Sequence, residues 1–468
     1  MAIEVEIISK EKIKPSSPTP DHRRNFKLSF LDQFAPPFYT STIFFYHSNY
    51  PGQKYLNPLE RSSWLKRSLA ETLTRFYPLA GKLINEDAYV DCNDEGVNYI
   101  QARVACKLSQ VVDKTDGKAL LPLLPFDPYK DCTGPGETVL LAIQYSIFEC
   151  GGVAIGVIDS HKIADGTSLA ALINAWASTS RGANHEVTNP SFDATIHFPQ
   201  TVLPGWFRRV PPMEQERLSS KKFVFNKSSI DALRKEASVA FGTDERGPSR
   251  VEAVSAFIWW RLMTIARSNP GGKAKQYGVR HAVNLRPRMV PRLSEHSFGN
   301  VWNIAITAVP PTEDEKDYPS LTRQIRNSIS QVNAEYVKHL QDANAFLETT
   351  RMELMEMFKF ETEFFNFTSW CSFPVYDIDF GWGKPTWVAC PIRPFKNVIL
   401  MMSSRDGEGI EMWVNLEEEH MAMFERDPKL LQFVVSSGAT DQRRTIFSCL
   451  KSYISNSAWK NFVNVSKC

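Results

Sequence analysis

The stretch Gly152-Val-Ala-Ile-Gly-Val-Ile-Asp-Ser-His161-Lys-Ile-Ala-Asp165-Gly-Thr-Ser-Leu-Ala-Ala-Leu-Ile-Asn-Ala-Trp176 decides how this chain is built. Residues 152–158 are almost all small or β-branched, the composition of a strand buried on both faces. After Asp165-Gly166 the period changes. Leu169, Leu172, Ile173 and Trp176 fall at helical spacing, and Thr167 is expected as the N-cap of that helix. A strand running into a helix through a loop that carries a histidine is an α/β pattern, and ligand-facing groups usually sit at such loop mouths.

The same alternation continues on both sides. Leu65, Leu69, Leu73 and Phe76 predict a helix over 62–76 that stops before Pro78 and packs on a sheet. A buried strand is expected over 138–147. Residues 197–220 are rich in proline and have no periodicity, as in a crossover between two domains, 1–196 and 221–468, with a segment near 365–400 packing against the first. In the second domain a helix over 251–265 is apolar nearly all round, strands are expected at 278–283 and 301–309, and 397–403 with 409–416 form a hairpin around Arg405-Asp406-Gly407 before a helix from 417.

A chain of 468 residues, 43% hydrophobic and 12% aromatic, can bury two cores. Lys plus Arg number 54 against 52 for Asp plus Glu, with no run of like charge. That balance argues against nucleic acid and a membrane surface as partners. The N-terminus, MAIEVEIISKEKIKPSSPTP, lacks the basic and apolar regions of a secretory signal, and no apolar run reaches the roughly 18 residues of a membrane span. A cytoplasmic protein is expected. The eight cysteines lie singly at 92, 106, 132, 150, 371, 390, 449 and 468. Without a CxxC pair they point to reduced thiols, and to neither a metal site nor a disulfide framework.

Two constellations could carry chemistry. The first is His161-Lys162-Ile163-Ala164-Asp165-Gly166, an imidazole able to take a proton near neutral pH with a carboxylate four residues on. Helical spacing would let Asp165 orient the ring. Gly166 argues instead for a turn that swings the carboxylate away to pair with a buried arginine. The second is Asp379-Phe380-Gly381-Trp382-Gly383-Lys384-Pro385. Its plain reading is a structural turn around a core tryptophan. No HRD loop, glycine-rich nucleotide loop, GxSxG elbow or Walker A sequence accompanies it, so kinase, P-loop and serine-hydrolase readings lack their parts.

Together these motifs resemble those of the plant BAHD acyltransferases. Lys14-Pro15-Ser16-Ser17-Pro18-Thr19-Pro20, Phe76-Tyr77-Pro78-Leu79-Ala80-Gly81-Lys82-Leu83, Asn284-Leu285-Arg286 and Phe298-Gly299-Asn300 extend the resemblance over nearly the whole chain, on the branch that mostly uses acetyl-CoA or other short acyl-CoAs. The resemblance implies two chloramphenicol-acetyltransferase-like α/β domains joined by a long crossover, with a channel at their interface. His161 would be the general base of direct transfer from acyl-CoA, a co-substrate rather than a bound cofactor, to a small-molecule alcohol. Asp165 would be structural and pair with Arg286, and Asp379 would support the fold. Thr368 or Ser369 would face the oxyanion. Gly381, Trp382, Gly383, Ser255 and Lys222 would contact coenzyme A, with no metal, in a monomer. Phe373 stands where transferases acting on shikimate carry an arginine, which argues against an acceptor of that acidic kind. An acylsugar or amine acceptor stays open. A non-catalytic binding relative would be expected to lack the base that this chain keeps, and Ser160 replaces the first of the paired histidines of condensation domains. The tail after Gly438 has no reading.

Overall fold

In the computed structural model of the chain, every residue of the strand Val153–Ser160 is buried, as its small and β-branched side chains demand. The structure describes residues 3–48, 57–84, 89–112, 116–128, 139–203, 218–268, 275–309, 317–359, 361–391 and 395–435. The strands of the first half are β1 (Val5–Ile13), β2 (Asn25–Lys27), β3 (Tyr39–Tyr46), β4 (Lys82–Ile84), β5 (Tyr89–Asp91), β6 (Val97–Val104), β7 (Leu141–Phe148) and β8 (Val153–Ser160). Those of the second are β9 (Leu218–Phe225), β10 (Tyr277–Asn284), β11 (Trp302–Val309), β12 (Glu363–Ser369), β13 (Trp387–Ala389), β14 (Val398–Ser403) and β15 (Ile410–Glu417).

They form two six-stranded mixed sheets, ordered β1-β6-β7-β8-β3-β13 and β11-β10-β12-β14-β15-β9, and a small sheet β2-β5-β4. In the first large sheet only β6 and β7 pair in parallel. In the second, β12 is parallel to both neighbours, β10 and β14. The fold is α/β, as expected. Gly156 lets another segment press onto the middle of β8, because a Cβ there would lie 2.2 Å from the Leu123 carbonyl oxygen.

The first long helix is Pro58–Arg75, beginning a turn earlier than the leucine spacing predicts. Asn57 caps it in a reciprocal box with Glu60, and Pro58 occupies the first turn, so the start is set by capping before the apolar stripe begins. Leu65, Leu69 and Leu73 are fully buried, and Ser62 bonds to Tyr99 and Gln101 of β6. Trp176 of the helix Gly166–Ser180 donates its indole N–H to Leu65 O at 3.1 Å, tying the two helices together. The helix Arg250–Ser268 buries Val254, Phe257, Ile258 and Trp259 in a second core with Val279 of β10 and Phe365 and Phe367 of β12. A third apolar cluster draws on both halves, with Phe30 and Phe198 meeting Leu285, Val301 and Phe346.

β13 crosses between the halves. It pairs antiparallel with β3 at the edge of the first sheet, and Thr386 N–H donates to Phe45 O at 2.7 Å beside it. Most of the expected crossover, 204–217, and the tail after Gly438 lie outside the described residues.

Candidate active site

β8 ends at Ser160, and the next residue, His161, donates its backbone N–H to Phe38 O at 2.9 Å. The imidazole stands edge-on to Phe38, centroids 4.9 Å apart, with Trp302 at 5.7 Å on another side. Its Nδ1 lies 3.0 Å from Asn300 Oδ1, which also accepts the Trp302 indole N–H at 3.1 Å. Asn300 Nδ2 is engaged with His161 O at 2.8 Å and Asp32 Oδ1 at 3.0 Å. These donations orient the amide, so Oδ1 can only accept from the ring. Nδ1 therefore carries the proton, and Nε2 carries the lone pair of a base. Asp32 anchors this arrangement, accepting the Asn300 backbone N–H at 2.7 Å and capping its own helix through Ser29. Burial pushes its carboxyl above the ordinary value, against the hydrogen bonds from Ser29 and Asn300.

Asp165 makes no such contact with the ring. Its oxygens accept from Arg286 Nη1 at 2.7 Å and Nη2 at 3.2 Å, from Ser168 N–H at 2.9 Å and from Val301 N–H at 3.0 Å. It is the N-cap of Gly166–Ser180, which corrects the expectation of Thr167, because its carboxylate is the acceptor that reaches the first-turn amide of Ser168. Burial alone would raise its pKa. The Arg286 charge and the four hydrogen bonds reverse that and hold it below the carboxylate range. Arg286 is itself fully buried and also donates to the Ser297 and Gly299 carbonyls.

Two chambers meet beside this loop. One, of about 490 Å³, contains His161 with Phe38, Trp302, Ile304, Phe395 and Val398 on its walls. The other, of about 700 Å³, runs along Gly166–Ser180 past His281 and Val251. They share Thr167, Ala282, Val283, Asn284, Phe367, Ser369 and Phe373. Thr368 lines the histidine chamber and Ser369 lines both. The ring of Phe373 closes on Gly166, where a Cβ would lie 2.9 Å from it.

The remaining expected site residues lie elsewhere. Asp379 Oδ1 accepts the Gly381 and Gly383 amides at 2.7 and 2.9 Å, making a closed turn in which both glycines have positive φ. Trp382 is buried against Phe380. Ser255 is fully buried, its hydroxyl turned to Met401 Sδ at 3.8 Å. Lys222 sits over the Trp387 ring at 4.7 Å and 3.9 Å from Glu411. None of Lys222, Ser255, Gly381, Trp382 and Gly383 lines either chamber. Sequence reasoning missed the orienting role of Asn300 and the part played by Asp32. The Ser29–Asp32 spacing is a capping signature that could have flagged the latter.

A family model described as Transferase family matches residues 3–431. Vinorine synthase of Rauvolfia serpentina is 40% identical over 432 residues, covering 90% of this chain and 96% of that protein. Stemmadenine O-acetyltransferase of Catharanthus roseus is 37% identical, covering 91% and 97%, and a limonoid 21-O-acetyltransferase of Melia azedarach is 36% identical, covering 92% and 98%. The crystal structure of vinorine synthase superposes with a TM-score of 0.80 at 37% identity over 92% of this chain and 99% of that one. The structure of F. sporotrichioides TRI101 with coenzyme A and T-2, at 17% identity and a TM-score of 0.67 over 88% of this chain and 100% of that one, shares the fold.

Proposed function

The chain belongs to the Transferase family, the BAHD acyltransferases, and from that premise we propose that it transfers an acyl group, acetyl foremost, from coenzyme A to a hydroxyl of a plant alkaloid or terpenoid. The observation that carries the mechanism is the Nδ1 hydrogen bond from His161 to Asn300, which leaves Nε2 as the base inside a chamber. Nε2 takes the hydroxyl proton while the alcohol oxygen attacks the thioester carbonyl, and the carbonyl electrons move onto its oxygen. Thr368 or Ser369 donates a hydrogen bond to that oxyanion. Collapse breaks the carbon–sulfur bond, and the imidazolium returns the proton to the coenzyme A thiolate. No acyl-enzyme is needed, since a thioester is already activated and the alcohol requires only deprotonation and placement.

The apolar walls of the histidine chamber suit a polycyclic acceptor, in keeping with the alkaloid and limonoid acetyltransferases it resembles. Phe373 at the junction offers no cation for a carboxylate, and Arg280, the arginine on the histidine chamber's walls, lies over the Phe364 ring at 4.0 Å. We place the enzyme in the cytoplasm as a monomer of two domains, 1–196 and 221–468. Among the described residues no helix is long and apolar enough to cross a membrane, and cysteines 92, 106, 150, 371 and 390 lie unbridged, which suits a reducing compartment. The test is to incubate the protein with acetyl-CoA and panels of alkaloid and terpenoid alcohols, beside His161→Ala, and follow free coenzyme A and acetylated masses. General-base loss should lower turnover by about 10²- to 10⁴-fold. Equal acceptor-dependent release from both proteins would overturn the assignment of the base.

A further inference from the structure

We infer that His281 is a hydrogen-bonding contact for the pantetheine arm of the acyl donor, in the chamber beside the one that holds His161; this rests on the acyl-CoA reading above. His281 lies in the middle of β10 and is only 5% exposed. Its ring lies flat against Phe367, its register partner on β12, with centroids 5.1 Å apart and planes 16° apart. Neither Nδ1 nor Nε2 has a hydrogen-bond partner among the described residues. Burial pulls its pKa down to about 4, against the opposing charge of Glu252, so near pH 7 the ring is neutral. A neutral imidazole has one N–H donor and one lone pair. Both are unmet here, which is uncommon for a buried polar group in a native fold.

Packing alone gives no reason for an imidazole at this position. The neighbours on its face of β10 are Val279 and Val283, and its stacking partner is Phe367, so a phenyl ring would pack as well without stranding two polar atoms. What distinguishes the position is that His281 lines the chamber of about 700 Å³, which joins the histidine chamber at Thr167, Ser369 and Phe373. A molecule lying there with its reactive end at His161 passes His281 on the way.

The unmet pair specifies the chemistry of that molecule. It must present an acceptor and a donor within a short apolar stretch, and a secondary amide does so with its C=O and N–H. The arm of an acyl-coenzyme A carries two such amides on a narrow chain between thioester and nucleotide. An acceptor entering the other chamber reaches His161 without passing His281. Lys222, Ser255 and the Gly381–Gly383 turn do not reach this chamber, so His281 is the donor contact that the sequence did not disclose.

The experiment titrates acetyl-CoA calorimetrically into the full-length protein, His281→Phe, His281→Gln and His161→Ala, with a thermal melt of each. Binding can thus be read without knowing the acceptor alcohol. His281→Phe should keep or raise the melting temperature, because two stranded polar atoms are removed, while Kd for acetyl-CoA rises about tenfold, the scale of one or two neutral hydrogen bonds. His281→Gln, which restores a donor and an acceptor, should bind within about threefold of the native protein, and His161→Ala should bind as the native protein does. Unchanged Kd in His281→Phe overturns the inference and leaves the ring to the core or to a buried water. If His281→Phe does not fold, His281→Leu gives the same decision. If the native protein binds no acetyl-CoA, the acyl-CoA reading itself fails and this one with it, an outcome distinct from equal binding by both.

Discussion

Replacing Asp165 with asparagine tests whether its carboxylate holds the loop rather than drives the chemistry. The substitution keeps the volume and an oxygen for the helix cap but removes the charge facing Arg286, whose guanidinium is fully buried and 2.7 Å away. Taking one partner from a buried ion pair strands the other, at a cost of about 3–5 kcal/mol. For a cooperative unit of about 200 residues each kcal/mol moves the melting temperature by roughly 2–4 °C, so Asp165→Asn should melt about 10 °C lower. His161→Ala, four residues away, should lose turnover yet stay within about 1 kcal/mol of native stability, since it strands no buried charge and Asn300 Oδ1 keeps the Trp302 indole N–H. Adding Arg286→Met to Asp165→Asn removes the stranded cation and should recover part of the loss, a non-additivity that unrelated sites would not show. The pH dependence has a defined sign. Because the folded pKa of Asp165 is depressed, its contribution is present above the unfolded value of about 3.9 and is lost as pH falls from there towards the folded value. Asp165→Asn should lack that acid-sensitive component. Urea midpoints and thermal melts between about pH 3 and 7 provide the measurement. A melting temperature within about 2 °C of native for Asp165→Asn would refute the reasoning.

Other substitutions probe the ring and its surroundings. Asn300→Ala removes the oxygen that fixes the imidazole and should lower kcat by about 10- to 100-fold while calorimetric affinity for acetyl-CoA holds. Asn300→Asp sets an anion beside Nδ1, which raises the pKa of His161 and moves the acid limb of the kcat/KM profile to higher pH. Asp379→Ala frees the Gly381 and Gly383 amides and should cost about 1–3 kcal/mol in urea titration, with turnover per folded molecule little altered. Gly166→Ala puts a Cβ 2.9 Å from the Phe373 ring and 3.1 Å from Trp370 Nε1. It should raise the acceptor KM several-fold and lower the melting temperature by a few degrees, checked by steady-state kinetics and a melt.

The loop at residues 161–166 was legible because its signals are local: a β-branched strand, a histidine, and a glycine where the helix begins. The hairpin of β14 and β15 was legible for the same reason. The N-cap was misplaced because one carboxylate does two jobs. The turn at Gly166 points Asp165 to an arginine, and nothing in a linear pattern says that the same oxygens also reach the Ser168 amide. Ser255 shows the limit more sharply. Its position in the helix was clear, but the direction of its hydroxyl depends on Met401, 146 positions away. His281 alternates as a buried strand residue should, and sequence period cannot tell a partnered imidazole from an unpartnered one. β13, only Trp387–Ala389, is too short to carry any period.

That short strand also bears on how the chain is made. β3 can pair with β8 once residue 160 has left the ribosome, but its other edge stays open until Trp387–Ala389 arrive. At about 5–20 residues per second, the roughly 230 intervening residues take about 10–45 s. Throughout that interval a nascent sheet presents unpaired backbone along Ile43–Phe45, a template for a neighbouring chain on the same polysome. A message truncated before codon 387 would leave it open permanently. Low yield and inclusion bodies are the expected fate of the amino-terminal half made alone, whereas supplying the carboxy-terminal half in the same cell offers the missing strand.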